Sequence, residues 1–176
     1  MKFAEFVQQQ GKPAHFAAGE HIFRQGDEDR SVYVLKEGLL KAYYLSDEGK
    51  ENIKSFIQPG ELIGSLASAY LKEDCSFSVV CLEPSVAMEV EFDALYAATK
   101  EHREMASAMV EHLLNFSMRK ERREREFLTE SAEKRYRMLL DRSPELFDKV
   151  TQKDIARYLG ITPVALSRIR KRNAAG

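Results

Sequence analysis

Apolar positions near the C-terminal end recur at helical spacing and predict two short helices joined by a tight turn. In residues 150–172, Leu166 and Ile169 lie three residues apart, so they share one face of the second helix. The first helix and the turn offer apolar partners for that face, namely Ala156, Leu159 and Ile161. The pattern therefore predicts a two-helix unit with a small core of its own.

The residue types at the predicted helix ends support the same unit. Thr151 is the expected N-cap of the first helix, and Asp154 is expected to complete a capping box. Gly160 supplies the left-handed residue that ends this helix. Thr162 and Pro163 then repeat the start signal, with a capping hydroxyl followed by proline at the first helical position. This order is typical of a helix-turn-helix.

The opposite side of the second helix carries residue types that suit DNA. Val164, Ser167, Arg168 and Lys171 follow the i, i+3, i+4, i+7 rule on that side. An arginine can fork onto guanine, and a valine methyl can touch the thymine methyl. A solvated basic helix end would explain the cations, but it would not explain the two-helix order. We predict double-stranded DNA as the partner, contacted by Thr162, Val164, Ser167, Arg168, Arg170, Lys171 and Arg172.

The front of the chain, from His15 to about Val90, has a different pattern. Short runs rich in β-branched and aromatic residues alternate there with turn residues, as in SVYVL, LLKAYYL, NIKSFI, SFSVVCL and VAMEV. The turn at residues 47–49, Asp-Glu-Gly, is expected to close a hairpin between the strands that hold Tyr43 and Ile53. The pattern predicts a compact antiparallel β-roll.

A helical pattern begins at Phe92 and continues past Phe127. Met109, Leu113 and Phe116 form the predicted seam through which this long helix pairs with the same helix of a second copy, giving a homodimer. A core helix that lies on its own roll is the alternative.

The chain is therefore predicted to be α+β, with two domains. An effector-sensing β-roll with the long dimerisation helix is expected in residues 1–128, and a helix-turn-helix domain in residues 129–176. Ser131 is one of the hydroxyls that can restart a helix at the boundary. The charged residues 119–127 are expected to form a solvated helix face with i, i+4 ion pairs.

Charge is distributed unevenly, although the formal net charge is only -1 and the pI is ≈ 6.5. From Lys149 onward the chain has seven lysines and arginines, whereas Asp154 is the only acid. A basic module on an acidic body would be drawn to a phosphate backbone through one face.

Composition places the chain among globular proteins, with 44% hydrophobic and 31% charged residues. No apolar run has the length of a membrane span, and the start has no apolar signal-peptide core. We therefore expect a cytoplasmic location and no membrane partner. Two cysteines are too few for an iron–sulfur cluster, which needs about four thiolates, and no metal site is predicted.

Residues 18–64, AGEHIFRQGDEDRSVYVLKEGLLKAYYLSDEGKENIKSFIQPGELIG, resemble the cyclic-nucleotide-binding roll of the Crp/Fnr transcription factors. Residues 154–171, DIARYLGITPVALSRIRK, resemble the DNA-reading motif of the same family, and the order of roll, long helix and helix-turn-helix matches it across nearly the whole chain. The resemblance implies a homodimeric bacterial regulator that binds an inverted repeat and recruits or blocks RNA polymerase. The glycines that carry it are Gly19, Gly26, Gly38, Gly49, Gly60 and Gly64.

The sequence departs from family members that bind cyclic nucleotides. Ser65 stands where they carry a ribose-binding glutamate, and Cys75 and Ser76 stand where they carry a phosphate-binding Arg-Ser pair. No arginine occurs in residues 61–92, so a buried cyclic phosphate would lack a forked guanidinium. Cyclic AMP is not expected to bind, and the effector is unknown. The resemblance implies an effector pocket at Gly60, Glu61, Leu62, Ile63, Gly64, Ser65, Cys75 and Ser76.

Other functions stay open at this stage. A cyclic-nucleotide-responsive regulator with a non-standard phosphate site is one, and haem ligation by a histidine is another. A ligand-binding module that controls a partner protein is a third. An enzyme is not predicted, because the sequence has neither a nucleophile elbow nor a phosphate loop.

Overall fold

The computed structural model describes residues 1–174 as a β-roll followed by a long helix and a helical C-terminal module. The last two residues of the predicted domain 129–176 lie outside the described residues. The strands are β1 Lys12–Phe16, β2 His21–Phe23, β3 Ser31–Glu37, β4 Leu40–Leu45, β5 Glu51–Ile57, β6 Leu62–Ile63, β7 Ser78–Cys81 and β8 Ser85–Glu91. The helices are α1 Phe3–Gln10, α2 Leu66–Ala69, α3 Phe92–Glu101, α4 Arg103–Thr129, α5 Ala132–Arg142, α6 Leu146–Lys149, α7 Gln152–Tyr158 and α8 Pro163–Ala174.

Two four-stranded antiparallel sheets form the roll, in the orders β1-β8-β3-β6 and β2-β7-β4-β5. The predicted hairpin is confirmed, because Tyr43 pairs with Ile53 across a turn in which Gly49 has φ 74°. The core between the sheets is apolar and includes Leu35 and Leu40, which are fully buried. All five predicted β runs are strands, and the α+β class is confirmed.

The helical region after the roll differs from the prediction of one continuous helix. His102 has φ -124° and ψ 112°, an extended conformation, so it separates α3 from α4. Met105, just after this break, is completely buried among residues of α1, β8 and α3. The break therefore lets α3 pack against the roll while α4 runs on to the C-terminal module.

The C-terminal module packs against the roll of its own chain. Its apolar core, which includes Ile155, Leu166 and Ile169, extends to Leu39, the buried residue just before β4. Among residues 1–174, no helix has the length and apolar character needed to cross a membrane.

A buried ion cluster joins the module to β4. Lys41 is 8% exposed, and its Nζ lies 3.1 Å from Glu51 Oε2 and 3.3 Å from Asp154 Oδ2. Arg157 completes the cluster, with Nη1 2.8 Å from Glu51 Oε2. Charges that are this buried must be paired, so the cluster specifies how α7 sits on the roll.

Candidate nucleic-acid interface and effector pocket

The first helix of the two-helix unit begins as the sequence predicts. The Thr151 hydroxyl accepts a hydrogen bond from the backbone N–H of Asp154 at 3.2 Å, so Thr151 is the N-cap of α7. The predicted capping box is wrong in its second half. The Asp154 carboxylate, 7% exposed, turns to Lys41 of the roll instead of to the Thr151 backbone. The Asp154 carboxylate therefore pairs with Lys41 of the roll and is not available to cap α7.

The turn between the two helices has the geometry that its residues predict. Gly160 has φ 69°, and Ile161 N–H donates to the carbonyl of Ala156 at 3.0 Å, which closes α7 with a left-handed residue. The Thr162 hydroxyl accepts from the N–H of Ala165 at 3.2 Å and caps α8, whose first residue is Pro163.

Replacing Gly160 with alanine is expected to destabilise the module by about 1–3 kcal/mol. The left-handed backbone strains any Cβ, and this Cβ would lie only 2.7 Å from Cε1 of Phe127. Gly49→Ala is the matched control, because Gly49 is also left-handed but a Cβ there meets open space. Urea unfolding followed by circular dichroism should give a larger loss for Gly160→Ala than for Gly49→Ala. Equal losses would contradict the contact with Phe127.

The two faces of α8 are divided as predicted. Leu166, 1% exposed, and Ile169 are buried in the module core, whereas Val164 is 62% exposed. Ser167 and Arg168 are also exposed. All the predicted DNA-contacting residues are exposed, namely Thr162, Val164, Ser167, Arg168, Arg170, Lys171 and Arg172.

The charged stretch 119–127 is not the simple solvated face that the sequence suggests. Most of its side chains are exposed, but within residues 1–174 it forms no i, i+4 ion pair. Arg119 pairs instead with Glu61, and Glu126 pairs with Arg142 at 3.1 Å. Arg123 is largely buried and donates to the carbonyls of Ile53 and Tyr158 at 3.0 and 3.1 Å. This half of α4 therefore bridges the roll and the C-terminal module.

The predicted effector pocket is split between two environments. Leu62, Ile63 and Gly64 line an apolar cavity of about 420 Å³ between the roll and α4. Ser65, 1% exposed, instead points into the protein and accepts a hydrogen bond from the N–H of Ser76 at 3.3 Å. Cys75 is buried and free. The remaining residues, Gly60 and Glu61, lie in the preceding turn, where Glu61 faces Arg119.

The Cys75 side chain contacts the backbone of Asp29. The Cys75 thiol lies 3.8 Å from the carbonyl of Asp29, and the Asp29 carboxylate accepts a hydrogen bond from Tyr33 at 2.7 Å. Burial raises the pKa of Asp29, so a negative charge is already disfavoured at this position.

The long helix places the predicted dimer residues Met109, Leu113 and Phe116 along one cavity, of about 420 Å³, between the roll and α4. Met109 packs against the apolar cluster of its own chain, and Phe116 is half-buried above the roll. Leu113 is exposed, as are Val110 and Leu114. The structure thus brings all three predicted residues together over the roll. The exposed residues Val110, Leu114 and Met118 form an outer apolar stripe beside them, and Val110 also borders the cavity.

Metal and redox sites do not appear among the described residues. Within residues 1–174 no three His, Cys, Asp or Glu side chains are grouped to hold a metal ion. Cys81 is buried and unpaired by disulfide, and burial raises the pKa of its thiol.

This fold, a two-sheet roll joined by a long helix to a helix-turn-helix module, is that of the Crp-type regulators. The family model for the cyclic nucleotide-binding domain matches residues 13–102. The chain belongs to the Crp/Fnr family of transcription regulators that carry this domain, and this family is not one of enzymes.

The relatives agree in fold and in family. The anaerobic regulatory protein of Haemophilus influenzae is 30% identical over 160 residues, which is 84% of this chain and 61% of that protein. The transcriptional activator protein Anr of Pseudomonas protegens is 38% identical over 89 residues, 51% of this chain and 35% of that protein. The chain thus spans less than two thirds of the length of these relatives.

Solved structures share the whole architecture at low identity. FixK2 from Bradyrhizobium japonicum superposes with a TM-score of 0.80 and 17% identity, covering 94% of this chain and 85% of that chain. A CooA mutant from Carboxydothermus hydrogenoformans gives a TM-score of 0.76 at 13% identity, covering 98% of this chain and 79% of that chain. At these identities the likeness concerns the fold alone.

Proposed function

We propose that the chain is a sequence-specific DNA-binding regulator that acts as a homodimer on an inverted repeat. The observation that carries this proposal is the outward surface of α8. Leu166 and Ile169 fix one side of the helix in the core, so Val164, Ser167 and Arg168 must face solvent. Solvent-facing cations and hydroxyls on the second helix of such a unit suit a DNA major groove.

The cations of α8 are also free for phosphates. Of those in residues 1–174, Arg172 is the one that forms an ion pair, with Glu133 at 3.2 Å. Arg168, Arg170 and Lys171 are exposed, and none of them forms an ion pair with a carboxylate of the described residues 1–174. We assign Arg168 to base reading and the other cations to the DNA backbone, where they add affinity but no sequence preference.

We propose that dimerisation uses the outer stripe of α4. Val110, Leu114 and Met118 are exposed at i, i+4 intervals, and Leu113 lies at the edge of this stripe. Such spacing suits pairing of two copies of the helix. Two copies related by a two-fold axis would present two α8 helices, which explains why one helix-turn-helix per chain suffices. RNA polymerase would be the further partner of a regulator of this type.

We expect millimolar cyclic AMP to leave the DNA affinity unchanged within about twofold. The reason is the absence of any arginine in residues 61–92, which leaves a cyclic phosphate without a forked guanidinium. Equilibrium dialysis with labelled cyclic AMP and DNA binding with and without the nucleotide give the two measurements. Saturable binding of cyclic AMP that also shifts the DNA affinity would favour a cyclic-nucleotide-responsive regulator with a different phosphate site.

Selection of duplexes from a random pool tests the function directly. The purified chain should enrich an inverted repeat whose half-sites lie about one helical turn apart, because a two-fold dimer presents its two α8 helices at that separation. Enrichment of a single half-site would contradict the dimer. No enrichment, with capture of a protein partner instead, would favour a ligand-binding module that controls another protein.

A further inference from the structure

The buried ion cluster between the roll and α7 is a closed ring of four ion pairs. Lys41 of β4 and Glu51 of β5 belong to the roll, whereas Asp154 and Arg157 belong to α7. Two pairs cross between the roll and α7, Lys41–Asp154 at 3.3 Å and Arg157–Glu51 at 2.8 Å. The other two, Lys41–Glu51 at 3.1 Å and Arg157–Asp154 at 3.8 Å, lie within the roll and within α7. Opposite charges therefore alternate around the ring, and the ion cluster as a whole is neutral.

The ion cluster restricts the position of α7 more than the apolar contacts around it. The side chains of Lys41 and Asp154 are only 10% and 9% exposed. A shift of α7 along the roll would leave a buried ammonium or carboxylate without its partner, and an unpaired buried charge is strongly unfavourable. The neighbouring rings of Phe56 and Tyr158, with centres 5.2 Å apart, tolerate larger shifts because hydrophobic burial is non-directional. The ion cluster therefore determines where α7 docks on the roll.

The covalent connection between α4 and the C-terminal module does not fix this position. Glu130, between α4 and α5, has φ -108° and ψ 144°, so the backbone is extended there and α5 does not continue the axis of α4. Arg123 of α4 adds one side chain to the junction, because it donates hydrogen bonds to the carbonyls of Ile53 in β5 and Tyr158 in α7. Side-chain contacts therefore set the position of α7 relative to the long helix.

The proposed DNA-reading helix moves together with α7. Ile155 of α7 packs with Leu166 and Ile169 of α8 in one apolar core. Two copies paired through α4 would therefore hold their α8 helices at a separation that depends on where α7 docks. One base pair between two half-sites corresponds to about 3.4 Å along the DNA axis and roughly 34° of rotation. A dimer whose modules are rigidly docked can match only one such spacing.

We propose that the ion cluster is a specificity determinant, in which Lys41 and Asp154 set the half-site spacing that the dimer accepts. Both are positioning residues that act through α7, and neither is assigned a contact with DNA. The inference rests on the proposed function, binding of an inverted repeat by a homodimer, and adds the structural origin of its spacing. Rigidly docked modules discriminate against a repeat with one extra base pair, whereas loosely docked modules adapt to it.

Replacing Lys41 with methionine should relax the spacing preference. The change keeps an unbranched side chain of similar length but leaves the carboxylates of Glu51 and Asp154 to share one guanidinium, so the buried cluster gains an excess negative charge. Fluorescence anisotropy would give affinities for the selected repeat, for that repeat with one extra base pair between its half-sites, and for a duplex with one half-site. The wild type should favour the selected spacing by roughly ten- to hundredfold, the contribution of base contacts in one half-site, and Lys41→Met by about threefold or less. Affinity for the single half-site should stay within about twofold, because the α8 surface is unchanged.

A second substitution that restores the charge balance should restore the spacing preference. Asp154→Asn alone leaves an excess positive charge and should also relax the preference. The double variant Lys41→Met/Asp154→Asn is neutral again and keeps the Arg157–Glu51 pair between α7 and the roll. Its spacing preference should therefore lie within about threefold of the wild-type preference. A merely structural loss of contacts would make the double variant worse than either single variant.

Gln58→Met is the matched control. Gln58 Nε2 donates to Glu145 Oε1 at 2.7 Å, an exposed contact between the roll and the C-terminal module, so its loss should leave the spacing preference unchanged. Circular dichroism checks that each variant folds, and Asp154→Asn with the double variant carries the test if Lys41→Met alone does not fold.

Three results would each overturn the proposal while leaving the proposed function intact. They are an unchanged spacing preference in the single variants, a further loss in the double variant, and an equal loss in Gln58→Met. A wild-type protein that binds DNA without preferring any inverted repeat would contradict the proposed function itself, and the role of the ion cluster in spacing would fail with it.

Discussion

Arg168→Ala is expected to reduce the preference for the selected inverted repeat over unrelated duplex by ~1–3 kcal/mol per half-site, roughly ten- to hundredfold. Arg168 is exposed on the face of α8 opposite the buried Leu166, so its guanidinium can fork onto a guanine edge. Fluorescence anisotropy with both duplexes at one fixed salt concentration gives the two affinities and their ratio.

Arg170→Ala is the matched control for this prediction. Arg170 lies on the same helix and is also exposed, but we assign it to the phosphate backbone. Its loss should weaken both duplexes by a similar factor and reduce the salt dependence, while the ratio stays unchanged. If Arg168→Ala and Arg170→Ala change the affinities in the same uniform way, Arg168 is not a base reader.

The second large effect is a loss of stability, and it is expected from a substitution on the buried face of α8. Leu166→Ala should lower the free energy of unfolding of the module by about 2–5 kcal/mol, because Leu166 is 1% exposed and packs among Ile155, Leu159 and Ile169. Removing three carbons there leaves a cavity that this small core cannot refill. Urea unfolding followed by circular dichroism measures the loss.

Val164→Ala gives the contrast two positions away on the helix. Val164 is 62% exposed, so its truncation should change stability by no more than about 0.5 kcal/mol. It should instead weaken any preference for thymine at one position of the half-site. A large loss of stability in Val164→Ala, or a small one in Leu166→Ala, would mean that α8 is rotated about its axis, and the proposed DNA surface would fail with it.

The two-helix unit was predictable because its signals are local. Thr151, Gly160 and Thr162 act within a few residues of their own positions, so capping and turn chemistry fix the helix ends. The longer strands were predictable for the same reason, since Tyr43 and Ile53 are joined by a short turn. The strands β1, β2 and β6 were not predicted. The strands β2 and β6 have only three and two residues, and β1 has only a weak alternation of buried and exposed residues.

Contacts between residues far apart in the sequence could not be predicted from these local signals. Asp154 looks like a capping residue in its local context, but the ion pair with Lys41 joins positions 113 residues apart. The hydrogen bonds of Arg123 to the carbonyls of Ile53 and Tyr158 likewise depend on the packing of α4 over β5. Only the unusual density of arginine in residues 119–127 could have suggested that some of these cations face inward.

The spacing of apolar residues also does not fix how α4 is rotated about its own axis. Met109 and Val110 are neighbours in sequence but lie about 100° apart around the helix. A seam of alternating three and four spacings can be drawn through either residue. Met109 packs on the roll and Leu114 is exposed, whereas Val110 is exposed and also borders the cavity under α4. The proposed dimer surface therefore uses Val110 and Leu114, which lie beside the predicted residues Met109, Leu113 and Phe116.

The most direct test of the central claim is a salt titration of DNA binding by the purified full chain, using the selected inverted repeat and an unrelated duplex of the same length. The account predicts binding to both duplexes in dilute buffer, a steep linear fall of log affinity with log salt, and a preference for the repeat that Arg168→Ala reduces. Absence of binding even in dilute buffer, or an affinity that salt does not change, would contradict the presentation of α8 to DNA.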